Sequence, residues 1–258
     1  AGGLRGDYVA TSNQGGYFGD RSTSNAAASG FAAATVGPFG GLRLTAQASR
    51  GFRDPVLSDR YYRGPTGRGF ITGEPDLAPE TSAQFDLALR YTARRWRAAA
   101  YAYQYRFDDL IERYQEQADF FFFRNRGRAR IRGVELELQA EPLPGLSLEL
   151  SGHLLEGLAL DDNLLPATLT LRVTQHIGRG FVQARAGLYG SDDEPGPTEQ
   201  PREAHQLLEL AGGLRLTHQV ELRLVARNVL DEEYLVSPDS RSPLAPGRSL
   251  LGAVTISF

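Results

Sequence analysis

The chain has 258 residues, 41% hydrophobic and 23% charged, with a formal net charge of -3, no Cys and no Met. Mild acidity gives no electrostatic basis for a nucleic-acid partner, and the lack of Cys removes disulfides, thiolate catalysis and cysteine metal sites together. No apolar run reaches the ~18 residues a spanning helix needs, because Ser29, Gly30 and Thr35 interrupt the Ala-rich stretch that comes nearest.

Two weaker alternating runs, 4–12 and 25–36, open the chain, and Ala1 has no charged and apolar leader behind it, as at an internal or processed N-terminus. Leu42, Leu44 and Ala46 follow a Gly/Pro turn at 37–41. Phe85, Leu87, Leu89 and Tyr91 precede a turn at 93–95, and a further run covers 96–107. Its apolar wall is open: Ala98, Ala100 and Ala102 compete with Tyr101, Tyr103 and Tyr105. Val134, Leu136 and Leu138 alternate with Glu135, Glu137 and Gln139, and after a compact turn Leu146, Leu148 and Leu150 alternate with Ser147, Glu149 and Ser151. The pattern recurs through Leu169, Leu171 and Val173, then Val182, Ala184, Ala186 and Leu188. It continues through Leu208, Leu210, Leu214 and Leu216, and through Val220, Leu222, Leu224 and Ala226. In the last run Leu250, Gly252, Val254, Ile256 and Phe258 share one face while Ala253, Thr255 and Ser257 share the other.

A period of two with one greasy and one wet wall is the pattern of a strand between two solvents. The runs make about twelve strands, with spans near the ~9–11 residues a tilted transmembrane strand requires. Short turns near 39, 94, 143, 178 and 218 alternate with longer connections around 13–25, 50–80, 108–126, 156–165, 190–204 and 229–247. Counted back from a periplasmic C-terminus, every short turn is periplasmic and every long one external, as in outer-membrane barrels. A soluble antiparallel sandwich has no reason to keep that parity. Arg130 and Arg132 share the phase of Val134 and either lie at the outer rim or are re-aimed by a bulge at Gly133. The predicted fold class is therefore all-β, an antiparallel transmembrane β-barrel in the bacterial outer membrane, with the surrounding lipid as a partner.

Three stretches carry a family likeness: Gly51-Phe52-Arg53-Asp54-Pro55, then Glu74-Pro75-Asp76-Leu77-Ala78-Pro79-Glu80-Thr81-Ser82, then Asn228-Val229-Leu230-Asp231-Glu232-Glu233-Tyr234. With terminal Phe258 they make the chain resemble the C-terminal half of a TonB-dependent outer-membrane receptor. The resemblance implies a parent barrel of about twenty-two strands. It also implies a plug and a TonB-contacting segment N-terminal to this chain and absent from it, and recognition of the closing strand by the barrel assembly machinery. The implied function is TonB-dependent uptake of a ferric siderophore or similar iron chelate, with no catalytic residues, no resident cofactor and no metal site. The residues also have an architectural reading, in which Pro55, Pro75 and Pro79 end pairing while Asn228 and Asp231 cap a turn.

The Phe-Arg-x-Pro and x-Pro-x-Leu order resembles the haem-receptor branch, which carries a His between the two motifs. Here no His lies between Phe52 and Leu77; Tyr61 and Tyr62 occupy that loop with Arg53, Arg60, Arg63 and Arg68. Phenol and guanidinium groups suit an anionic ferric chelate, and girdle or rim packing is the alternative reading. Tyr114 joins these candidates beside Phe120, Phe121, Phe122 and Phe123, which either stack on an aromatic ligand or pack in the girdle. Asp192, Asp193 and Glu194, like Asp161 and Asp162, read as calcium ligands or as solvated loop charge. The four His are dispersed at 153, 176, 205 and 218, as rim or turn residues. Two competing readings of the whole chain are a self-closing porin and an outer-membrane barrel enzyme. Against the enzyme, His153 beside Ser147 and Ser151 lacks a nucleophile elbow.

Overall fold

The structure is a computed structural model that describes residues 1–158, 166–195 and 199–257. The strands are β1 (Gly2–Asn13), β2 (Arg21–Phe39), β3 (Leu42–Arg53), β4 (Arg63–Thr66), β5 (Gly69–Thr72), β6 (Glu80–Thr92) and β7 (Trp96–Gln117). They continue as β8 (Phe120–Leu143), β9 (Leu146–Leu158), β10 (Thr168–Ile177), β11 (Gly180–Tyr189), β12 (His205–Arg215), β13 (Val220–Arg227) and β14 (Ser249–Ile256). The five-residue helix α1 (Leu57–Tyr61) lies between β3 and β4.

The long strands pair antiparallel with their neighbours in the order β1-β2-β3-β6-β7-β8-β9-β10-β11-β12-β13-β14, the up-and-down wall expected from the alternating runs. All five short turns fall where the alternation broke. Gly40 and Gly41 at the β2–β3 turn have φ of 57° and 88°, a left-handed backbone that a Cβ disfavours. β1 and β14 do not pair with each other, so among the described residues the sheet is open.

Register joins the apolar sides of successive strands into one wall. Leu44 lies opposite Leu89, Leu89 opposite Ala100, Ala100 opposite Leu136, and the row runs on through Gly152 to Leu169 and Leu188. At the far end Leu222 pairs with Val254 and Val220 with Ile256. Leu222, Leu224, Val254 and Ile256 are 37, 59, 62 and 58% exposed, so they form an outer surface rather than a core. Among the described residues no helix is long and apolar enough to cross a membrane; the wall itself is apolar, as the outer face of a transmembrane barrel is. Phe258 lies outside the described residues.

The opposite wall is wet. Tyr101, Tyr103 and Tyr105 point to it, which settles the phase of β7 in favour of Ala98, Ala100 and Ala102 outside. The Tyr105 hydroxyl donates to Asp86 at 3.1 Å and that of Tyr101 to Glu137 at 3.4 Å, while Arg172 pairs with Glu149 at 2.9 Å. Phenols beside carboxylates need water or each other, so the tyrosines turn away from the apolar wall although their rings are apolar. Gly133 introduces no bulge: pairing with β7 and β9 continues without a shift there, and Arg130 and Arg132 stay on the outer wall. A side chain at Gly133 would meet the Tyr103 ring at 2.5 Å, which explains the glycine as room for a phenol.

Two stretches differ from expectation. Residues 108–126 are a continuation of β7 and β8 rather than an open connection, with the chain reversing only at 118–119. Glu112 holds Arg124 at 2.6 Å and Arg126 at 3.1 Å across this hairpin, pairing that the charged composition hid from a search for apolar alternation. The 54–79 connection contains α1 and the β4–β5 hairpin, whose runs are too short to show periodicity. β5 pairs parallel to the start of β8, with Ile71 opposite Phe121.

Candidate functional site

The long connections bond to one another at one end of the wall. Arg21 reaches Asp76 at 3.2 Å, and the Phe70 amide donates to the Asp119 carbonyl at 2.7 Å. Arg68 pairs with Asp239 at 2.8 Å, and the Gln200 amide donates to the Pro238 carbonyl at 2.8 Å. In sheet order β3 and β13 stand eight strand spacings apart, roughly 38 Å along the wall at ~4.8 Å each. Loops leaving those strands nevertheless touch through Arg68 and Asp239, as they do where a sheet curves and its connections arch over the concave side. The connections thus make a mouth over the lumenal wall.

The first two sequence motifs meet in the anchor of the 54–79 loop. Arg53 extends from β3 to Asp59 of α1 and to Glu80 of β6, each at 3.2 Å, and Glu80 accepts the Ile111 amide at 3.0 Å. Arg60 is fully buried; its Nη1 donates to the Pro75 carbonyl at 2.6 Å and its Nη2 lies 3.9 Å from Asp54, which accepts the Asn25 amide group at 2.5 Å. Pro55, Pro75 and Leu77 are buried around this cluster, with Phe52 and Pro79 half-buried at its rim. At Gly73 a Cβ would stand 2.7 Å from the Arg60 carbonyl, so the chain passes α1 at a distance that only glycine permits. Arg53 and Arg60, selected from the sequence as ligand groups, are engaged in holding the loop.

The other selected residues are spread over the mouth. The Tyr61 hydroxyl is buried without a hydrogen-bond partner, its ring 6.1 Å from Phe18. Tyr62 is partly exposed and donates its hydroxyl to the Pro65 carbonyl at 2.8 Å. Arg63 lies 4.0 Å over the exposed ring of Tyr17 and 5.2 Å from Phe70, and no carboxylate pairs with it among the described residues. Arg68 is taken by Asp239. Tyr114, on the projecting hairpin, lies beneath Arg124 at 4.4 Å and beside Phe122 at 6.0 Å. The arrangement therefore brings Arg63, Tyr17 and Phe70 into one cation–aromatic group, with Tyr114 and Arg124 as a second.

Sequence reasoning passed over Tyr17 and Phe70, which carry no motif, and dismissed His205, whose ring stacks 4.7 Å from Tyr189 on one side and 4.7 Å from Tyr234 on the other. Tyr234 belongs to the third motif, in which Asn228 is buried at φ 46° and accepts the Glu232 amide at 3.0 Å. Asp231, at φ 62°, accepts the Arg248 amide at 2.8 Å and so ties the start of β14 to this turn, while Leu230 is exposed. Among the aromatics at the hairpin tip, Phe120 packs 6.0 Å from Phe70 and Phe121 is buried under Arg113. They stabilise the β5 contact. Asp192 pairs with Arg202 at 2.9 Å, and His153 Nε2 contacts the Pro166 carbonyl at 2.9 Å. Asp161 and Asp162 lie outside the described residues.

An up-and-down antiparallel wall with one apolar and one polar face is the architecture of a barrel segment. The family described as "TonB dependent receptor-like, beta-barrel" matches residues 1–229, and the chain belongs to it. No curated protein matches. Among solved structures, the copper transporter OprC superposes with a TM-score of 0.81 at 19% identity, covering 100% of this chain and 46% of that one. The ferric-catecholate import receptor Fiu from E. coli K12 gives 0.74 at 14%, covering 100% and 42%. The Serratia marcescens hemophore receptor HasR, solved with its hemophore HasA and heme, gives 0.73 at 15%, covering 100% and 47%. At these identities the likeness shows the fold, and the chain spans less than half the length of these relatives. The family is one of receptors and transporters of the bacterial outer membrane, whose members act on several classes of cargo.

Proposed function

We propose that the chain is the C-terminal portion of the barrel of an outer-membrane receptor that takes up a ferric siderophore or a similar iron chelate under the control of TonB. The observation that carries this reading is the mouth, where Arg63 lies exposed on Tyr17 and Phe70 with no carboxylate partner. A guanidinium seated on aromatic rings, beside a tyrosine-lined lumen, offers an anionic aromatic chelate both charge and a stacking surface. The free edges of β1 and β14 support a parent barrel of about twenty-two strands completed by chain outside these residues, since exposed edges invite aggregation. The same edges speak against a self-closing porin. In this reading the plug and the TonB-contacting segment belong to the rest of the parent, and the closing strand is what the barrel assembly machinery engages.

Binding of radio-iron ferric tris-catecholate and of haem to the full-length receptor tests the proposal. Arg63→Gln is expected to weaken one of these two at least tenfold, with Tyr17→Ala adding to the loss. If both chelates bind equally well before and after the substitutions, the site assignment fails.

A further inference from the structure

Beneath the turn that carries the third sequence motif, the wet wall is hollow. A cavity of about 390 Å³ has Arg185 and Gly187 of β11, Glu209 of β12 and Arg227 of β13 as its floor, and Tyr234 and Pro246 of the 229–247 connection as its roof. The hollow exists because Gly187 carries no side chain, whereas its neighbours across the wall, Thr170 and Leu207, do. Tyr189 leans over the gap: a Cβ at Gly187 would meet its ring at 2.8 Å and its hydroxyl at 3.0 Å. The phenol therefore reaches back along β11 toward Arg185, which stands two residues beyond Gly187 at ~3.3 Å each. His205 stacks 4.7 Å from Tyr189 and 4.7 Å from Tyr234, so floor and roof are joined through one aromatic column.

Charge in the hollow is unbalanced. Register sets Arg172, Arg185 and Glu209 side by side on β10, β11 and β12. Glu149 holds Arg172 at 2.9 Å and Glu209 lies 3.5 Å from Arg227, so both nearby carboxylates are engaged by other arginines. Arg185 has no carboxylate partner among the described residues. It also faces the Arg172 guanidinium directly across the ladder, where like charges are destabilising and an anion relieves the repulsion. Arg185, Arg227 and Glu209 together leave the hollow with a single positive charge.

We propose that this hollow binds a small aromatic monocarboxylate, with its carboxylate on the Arg185 guanidinium and the Tyr189 hydroxyl and its ring against Leu207 and Pro246. The chemical class follows from the fit. One uncompensated charge matches a monoanion, and the planar guanidinium fork matches two carboxylate oxygens, whereas a dianionic phosphate would be left half neutralised. Leu207, Leu208 and Pro246 give the hollow an apolar side, and its volume falls in the ~300–1,000 Å³ range of small-molecule sites. The aromatic column fixes Tyr189 before the ligand arrives, which lowers the ordering cost of binding. The site shares no residue with the Arg63 group and goes beyond the receptor reading, since it requires only that wall and loop keep this geometry.

Equilibrium dialysis of radiolabelled benzoate against the full-length receptor in detergent tests the proposal, with benzyl alcohol and inorganic phosphate as competitors and detergent alone as the blank. Wild type is expected to bind one benzoate per chain, and neither competitor to displace it at equal concentration. Arg185→Gln is expected to weaken binding at least tenfold and Tyr189→Phe about fivefold, while Arg63→Gln, in the mouth, leaves it unchanged. No saturable binding to wild type, displacement by either competitor, unchanged affinity in Arg185→Gln, or loss of binding in Arg63→Gln overturns the proposal. Heat-resistant migration in gels verifies that each variant is folded. Chelate binding in the same samples reports on the receptor reading separately, since its failure with benzoate binding intact counts against that reading alone.

Discussion

Arg60 shows how a residue type selected for one chemistry is used for another. A guanidinium in a loop before a proline-rich stretch looks available to an anion, yet here it is enclosed between Asp54 and the Pro75 carbonyl. Charge and loop position were legible in the sequence; burial depends on the return of the chain past Arg60 at Gly73 and Pro75, which is non-local and left no pattern. Arg60→Met leaves Asp54 without its cationic neighbour and is expected to cost about 3 kcal/mol of loop stability, as when a buried pair loses one member. Limited proteolysis should then cut within 54–79 about a hundredfold faster while the barrel stays heat-resistant. An unchanged cleavage rate would mean that the anchor lies elsewhere.

Among the elements, the strands of the second half were readable because their two walls differ in polarity, so Leu169, Leu171 and Val173 alternate cleanly with polar residues. β7 was ambiguous because its outer wall is alanine and its lumenal wall tyrosine, a case in which ring size and polarity give opposite indications. The projecting part of the β7–β8 hairpin was invisible because it leaves the apolar band and pairs through charges such as Glu112 with Arg124. The phase makes a paired prediction on β10. Leu171→Arg puts a cation on the hydrocarbon side and is expected to destabilise the barrel by ~2–4 kcal/mol, whereas Thr170→Arg, on the wet wall opposite Ser151 and Gly187, costs under about 1 kcal/mol. Urea unfolding of the receptor in lipid vesicles measures both, and equal costs would contradict the assignment of walls.

For the whole molecule, the order of turns and loops gave the topology, and the twelve long strands pair as a simple meander. The mouth was less legible: Arg63 was among the selected residues, but its partner Phe70 reaches it across the short β4–β5 hairpin and Tyr17 from the β1–β2 connection, neither of which shows in the alternation. In the receptor reading a single continuous face, from β3 to β14, is in contact with lipid and the other with water. Single cysteines can be placed along β13 of the full-length receptor, with any Cys outside these 258 residues replaced by Ser, and spin-labelled in vesicles. Labels at 222 and 224 are predicted to be relaxed by lipid-soluble oxygen, and those at 221 and 223 by a water-soluble nickel chelate. A uniform response along the strand, or the reverse alternation, would contradict the account.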